Sequence, residues 1–227
     1  MDLSFPIHNK KSSDTGLPLA TGFVRLIGAL SAVFAAHSYA GTVDTYPYEV
    51  QWSKCQYQTE KEKQPPCFSA LVDELYQLHN QYPNDADIQA LWGINIASLA
   101  GVSGLSQALK LIDKSKEIIE QALEMDPEAL NGAPYVTLGA LYYRAPGWPL
   151  SFGDDDLAAQ FLEKGVKRNP NNSSTLYFYA DFLASQGEKE QAIKILQRAL
   201  DLPINPKYKI GDMGRREDIK VLLASLK

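Results

Sequence analysis

Residues that perform chemistry are scarce in this chain. Of 227 residues only two are cysteine and three histidine. Two of the histidines, His8 and His37, fall in the first 40 residues, so Ser-His-Asp and Cys-His catalysis would both have to run through His79. Its neighbours Leu78 and Asn80 put no acid or nucleophile at a useful spacing. The chain is therefore expected not to be an enzyme and to need no cofactor. Cys55 and Cys67 lack a second Cys/His pair to complete a tetrahedral site, so no metal is expected either. A basic excess is missing too: the formal net charge is −5. No predicted helix carries a one-sided Lys/Arg stripe, which excludes nucleic acid as a partner class.

No stretch alternates apolar and polar residues over a useful length, which argues against a sheet. Nor is any apolar run near the ~20 residues that span a bilayer. The longest, Leu26 to Ala36, is eleven residues, follows Lys10, Lys11 and Arg25, and precedes Ser38-Tyr39-Ala40. That is the order of a secretory signal peptide over residues 1–40, with cleavage after Ala40 and a periplasmic mature chain from Gly41. Removing it takes away three basic and two acidic residues and leaves a balance of −6. In an oxidising compartment, Cys55 and Cys67, twelve positions apart, read as a disulfide.

What the chain does have is internal periodicity. In Ser173 to Ile204, Ala180, Gly187, Ala192 and Ala199 fall at spacings of 7, 5 and 7, with Leu196 between the last two and Pro203 at the end. Small residues let two antiparallel helices approach, glycine ends the first, and proline stops the second. This resembles the tetratricopeptide pattern. Upstream, Gly153, Ala158, Gly165 and Pro170 keep spacings of 5, 7 and 5, but Gly139 precedes Ala158 by 19 positions, where the downstream unit has 12. Seven extra residues must bulge out within Arg144 to Phe152. Further back, Ser115, Ile119, Ala122 and Pro127 match a second-helix half, Gly93 is its small partner, and ten residues around Leu99 to Ser106 are extra. Cys67 to Tyr82 and Asp212 to Leu226 read as capping helices. The expected fold is all-α: antiparallel helical hairpins stacked as a tetratricopeptide-like repeat solenoid with capping helices. The expected division is a segment over 41–84 with the disulfide and a capping helix, then a repeat domain over 85–227 ending in the second cap.

The segment Pro146-Gly147-Trp148-Pro149-Leu150-Ser151-Phe152-Gly153-Asp154, with Tyr177-Phe178-Tyr179 and Asp212 to Ile219, resembles the T-component family associated with TRAP transporters. The likeness covers roughly Asp85 to Lys227. It implies a periplasmic repeat protein that assembles with a substrate-binding component of a TRAP system, as a homo-oligomer with a channel for a hydrophobic ligand. Members are typically lipoproteins. Here the residues before Cys55, Gln51 to Lys54, are polar and do not form a lipid-acceptor site.

Repeat stacks bind on the concave face formed by the first helix of each hairpin. That places Tyr143, Arg144, Tyr177 and Asp181 on a mostly apolar floor suited to a peptide or an amphipathic carboxylate; core packing is the competing reading of either tyrosine, and bonding to carbonyls of the inserted loop that of Arg144. Trp148 and Phe152 admit two readings: the rings cover the seam between hairpins, or a rigid aromatic loop lines the site. Asp154, Asp155 and Asp156 directly precede a predicted helix and read as its cap, not as a cation site. The functional expectation is a periplasmic binding scaffold for a protein partner, an accessory of a transporter or envelope complex. A carrier of a small apolar or amphipathic ligand is the alternative. Protein recovered from the periplasm is expected to begin at Gly41 on N-terminal sequencing; intact Met1 in a cytosolic fraction would count against export.

Overall fold

Helix starts are set by short polar side chains that satisfy the orphan amides of a first turn. Asp85 accepts from the Ile88 amide at 3.1 Å, Asp154 from Leu157 at 2.9 Å and Asn172 from Thr175 at 2.9 Å. A computed structural model describes residues 43–226, so the signal peptide expected over 1–40 and its expected cleavage after Ala40 lie outside the described residues. Among the described residues there are nine α-helices and no strands. They are α1 (Tyr46–Tyr57), α2 (Gln64–Gln81), α3 (Ala86–Gly101), α4 (Leu105–Met125), α5 (Ala133–Arg144), α6 (Asp155–Arg168), α7 (Ser173–Ser185), α8 (Lys189–Asp201) and α9 (Lys209–Ser225). α3 packs on α4, α5 on α6 and α7 on α8 as antiparallel hairpins, stacked in order, as the spacing of small residues required.

The small residues sit where helix axes meet. A Cβ at Gly93 would come within 2.6 Å of the Ile119 side chain, and the Ser115 hydroxyl donates to the Gly93 carbonyl at 2.8 Å. Gly139 meets Leu162 in the same way, and Ala180, Ala192, Leu196 and Ala199 close the third hairpin as one buried cluster. Gly187, with φ +85°, ends α7 in the left-handed region that glycine enters without strain.

The bulge of seven extra residues expected between α5 and α6 is present, within the ten-residue connection over 145–154. The ten extra residues upstream take another form. They lengthen α3 to 16 residues and α4 to 21, leaving a short turn at Val102 to Gly104. The capping helices α2 and α9 each begin three residues earlier than expected.

α1 was not anticipated. It docks on α9, at the far end of the chain. The Tyr46 hydroxyl donates to the Lys207 carbonyl at 2.7 Å, the Tyr46 and Tyr208 rings meet edge to face at 5.6 Å, and the Tyr57 hydroxyl donates to Asp218 at 2.9 Å. Trp52 ties α1 to α3 by donating to the Ser98 hydroxyl at 2.8 Å. α1, α3, α5, α7 and α9, the inner helices, thus form a closed circuit in which each touches the next and α9 returns to α1.

Cys55 and Cys67 are disulfide-bonded, with Cα atoms 5.6 Å apart. The bond joins α1 to α2 beside Phe68 and Leu99, so it anchors the helix that closes the circuit. Closing so short a loop is worth about 3 kcal/mol in the chain-entropy view. Reduction is expected to lower the melting temperature accordingly. A Cys55→Ala, Cys67→Ala double variant should melt like the reduced protein, and an unchanged melting temperature would show that α1 is held without the bond.

Candidate binding site

Closing the circuit converts a concave groove into a half-open chamber. A cavity of about 750 Å³ lies among the five inner helices. Its wall carries Trp52 of α1, Leu91 and Ile94 of α3, Val136 and Thr137 of α5, Ser174 and Phe178 of α7, and Arg215 and Ile219 of α9. These residues lie in the first two-thirds of their helices. Consecutive helices are antiparallel, so the inner helices run parallel and their N-termini converge on this end. Nearby carboxylates have structural employment there: Asp87 accepts the Leu130 amide at 2.7 Å and Asp212 the Asn205 amide at 2.8 Å. The wall is mixed, with apolar side chains such as Leu91, Ile94, Val136 and Phe178 beside polar ones such as Thr137, Ser174 and Arg215.

Two charged clusters stand where α7 faces α5 on one side and α9 on the other. In the first, Arg144 bonds Asp181 at 2.5 Å and the Tyr143 hydroxyl donates to the same carboxylate at 2.6 Å. In the second, Arg215 pairs with Asp218 at 3.0 Å and donates to the Ser174 hydroxyl at 3.1 Å, while Tyr57 donates to Asp218. The Phe178 ring belongs to both, with the Arg144 guanidinium 5.1 Å and the Arg215 guanidinium 4.9 Å from its centroid. Arg215 also lies 4.5 Å from the Tyr177 ring. It is only 6% exposed, and a guanidinium so buried is tolerable because ion pair, hydroxyl and aromatic faces all meet it.

These surroundings move the phenols. Burial pushes Tyr143 well above the ordinary tyrosine value, with Asp181 adding to the rise and Arg144 opposing it. Tyr57 is raised first by burial, with Asp218 adding and Arg215 opposing. Tyr177 is raised by burial and then by Asp181.

Of the six residues assigned to the groove, the structure brings Tyr143, Arg144 and Asp181 together and puts Tyr177 beside Arg215. None of the six lines the chamber. Phe152 folds back onto Tyr142, centroids 5.3 Å apart, whereas Trp148 is 90% exposed. Arg144 directs its bond to Asp181 on α7 and not to carbonyls of the inserted loop. Sequence reasoning passed over Arg215, Asp218 and Tyr57. The available signal was Gly211 and Gly214 at a three-residue interval in α9. A side chain at Gly211 would crowd the Ser53 hydroxyl at 3.0 Å, and one at Gly214 would fall on the Tyr57 ring.

Two family models, each described as a tetratricopeptide repeat, match residues 150–203 and 103–128. No curated protein matches the chain. Among solved structures, MamA of AMB-1 is 20% identical with a TM-score of 0.44, covering 81% of this chain and 96% of its own. MamA 41-end from Desulfovibrio magneticus RS-1 is 19% identical at 0.43, covering 82% of this chain and 92% of its own. Yeast Tom70 is 19% identical at 0.42, with 79% of this chain matched to 33% of Tom70.

Because the folded Tyr143 phenol keeps its proton beyond the ordinary value of 10.0, its stabilising effect is complete below that pH and is lost as pH rises past it. Tyr143→Phe should lower stability near neutrality by about 1.5–3 kcal/mol, the worth of a hydrogen bond to a charged group. It should also flatten the alkaline fall in melting temperature. An unchanged alkaline slope would remove Tyr143 from that titration.

Proposed function

We propose that this is an exported binding scaffold, accessory to a TRAP-type transporter or another envelope complex, whose inner chamber holds a small amphipathic ligand. The observation that carries the ligand reading is the closed circuit of inner helices around about 750 Å³, a volume within the roughly 300–1,000 Å³ typical of small-molecule sites. An open solenoid would offer a long groove to an extended peptide; here α1 and α9 meet across it. Apolar contact comes from Leu91, Ile94, Val136 and Phe178, and polar contact from Ser174, Arg215 and the turns before the inner helices. The scaffold part of the reading is supported by the tetratricopeptide repeats, and the transporter part by the resemblance over Pro146 to Asp154. Export is supported by the order of charges, apolar run and small residues over 1–40.

N-phenyl-1-naphthylamine, an uncharged apolar fluorophore, tests the chamber. Bound probe should brighten, and Thr137→Trp, which adds bulk to the wall, should weaken binding at least tenfold with little change in melting temperature. Equal binding by both proteins would place the probe elsewhere and sink the chamber reading.

A further inference from the structure

The loop between α5 and α6 carries a second surface, independent of the chamber. Its base is stapled at several points. The Gly153 amide donates to the Pro146 carbonyl at 2.9 Å, Asp154 to Tyr142 at 3.0 Å and Leu150 to Gly147 at 3.1 Å. Gly147 and Gly153 face each other as an isolated bridge, and a side chain at Gly153 would strike the Ala145 carbonyl. Phe152 anchors the loop on Tyr142, with the Lys116 ammonium 5.7 Å from the Phe152 ring centroid.

Above this fixed base the tip projects Trp148, 90% exposed, and Leu150, 73% exposed. Leu105, 75% exposed, starts α4 on the turn of the preceding hairpin. Both connections follow the C-termini of parallel inner helices, so all three side chains stand on one edge of the stack, opposite the chamber end. Lone exposed apolar residues need no explanation, but a tryptophan almost wholly in water on a loop held at both ends is unusual. The loop is already ordered by its own hydrogen bonds, so burying Trp148 against a partner would carry little further cost of loop ordering.

Charge narrows the partner. Asp154, Asp155 and Asp156 follow the tip at once and are all exposed. Asp154 spends one oxygen capping α6, and none of the three forms a salt bridge among the described residues. An anionic lipid surface would be repelled by this collar. We infer that Trp148 and Leu150 form a docking knuckle for a partner protein that offers an apolar socket rimmed by lysine or arginine. The chamber and the knuckle lie at opposite ends of the inner helices, so both can be filled at once.

The test uses the whole exported chain in its own cells, with Trp148→p-benzoylphenylalanine as a photocrosslinker and Val221→p-benzoylphenylalanine as a control at another exposed apolar site. Mass spectrometry of the joined peptide should place position 148, and not 221, in one partner protein, at a pocket bordered by basic residues. With that partner purified, Trp148→Ala should weaken affinity at least tenfold. Asp155→Lys with Asp156→Lys should slow association and reduce its salt dependence. The melting temperature should stay unchanged in Trp148→Ala, whose side chain buries little in the free protein, and fall slightly in the double lysine variant, which puts two cations in the first turn of α6. Crosslinks only to lipid, only to a second copy of this chain, or no stronger than those from position 221 would overturn the proposal, as would an affinity indifferent to Trp148→Ala.

Discussion

The close approach of α1 to α9 is the constraint on which the interior depends. A helical-hairpin stack ordinarily leaves its first and last helices apart, because each unit touches only its neighbours. Here glycine at 211 and 214 strips one face of α9 down to backbone, and the Tyr57 ring and Ser53 hydroxyl of α1 occupy the space. Hydrogen bonds from Tyr46 and Tyr57 fix the two helices along and across that face. The disulfide holds α1 to α2, and so to the rest of the stack, which limits how far α1 can wander when the contact breaks.

Closure has an electrostatic side as well. Bringing α1 against α9 buries Arg215, and a buried guanidinium needs its charge and its donors met. Asp218, Ser174 and the Tyr177 and Phe178 rings do this. Asp218 is in turn bound by Tyr57, so the residue that fills the space at Gly214 also completes the ion pair. Phe178 links the pair to Arg144 and Asp181, which brace α5 against α7. Packing and charge therefore fail or hold together at this end of the circuit.

The parts of the fold that obey local rules were legible in the sequence. Ala180, Gly187, Ala192 and Ala199 located α7 and α8, because close helix packing admits only small residues at those positions. The surplus between Gly139 and Ala158 located the loop that carries Trp148. α1 was not legible, since Tyr46 to Tyr57 lacks an apolar stripe and owes its helix to contacts with residues more than 150 positions away. The cavity lies away from the residues assigned to the groove for the same reason. Residues around the small positions, such as Tyr143 and Asp181, would line an open groove. In a circuit closed by α1 they brace neighbouring helices, and the open volume lies nearer the helix N-termini, at Val136, Ser174 and Phe178.

Parallel inner helices also divide the surface between two tasks. Their N-terminal ends gather around the chamber, where a changed length would alter the wall itself. Their C-terminal ends lead into the turns of the hairpins, where added residues project outward. The α5–α6 loop exploits this freedom: Phe152 secures it to Tyr142 on the hairpin, while Trp148 and Leu150 extend beyond the stack. Length added there leaves Val136 and Thr137, two turns back along α5, in place on the chamber wall. The separation follows from helix direction alone, because a hairpin can grow at its turn without moving the end of the inner helix that meets the cavity.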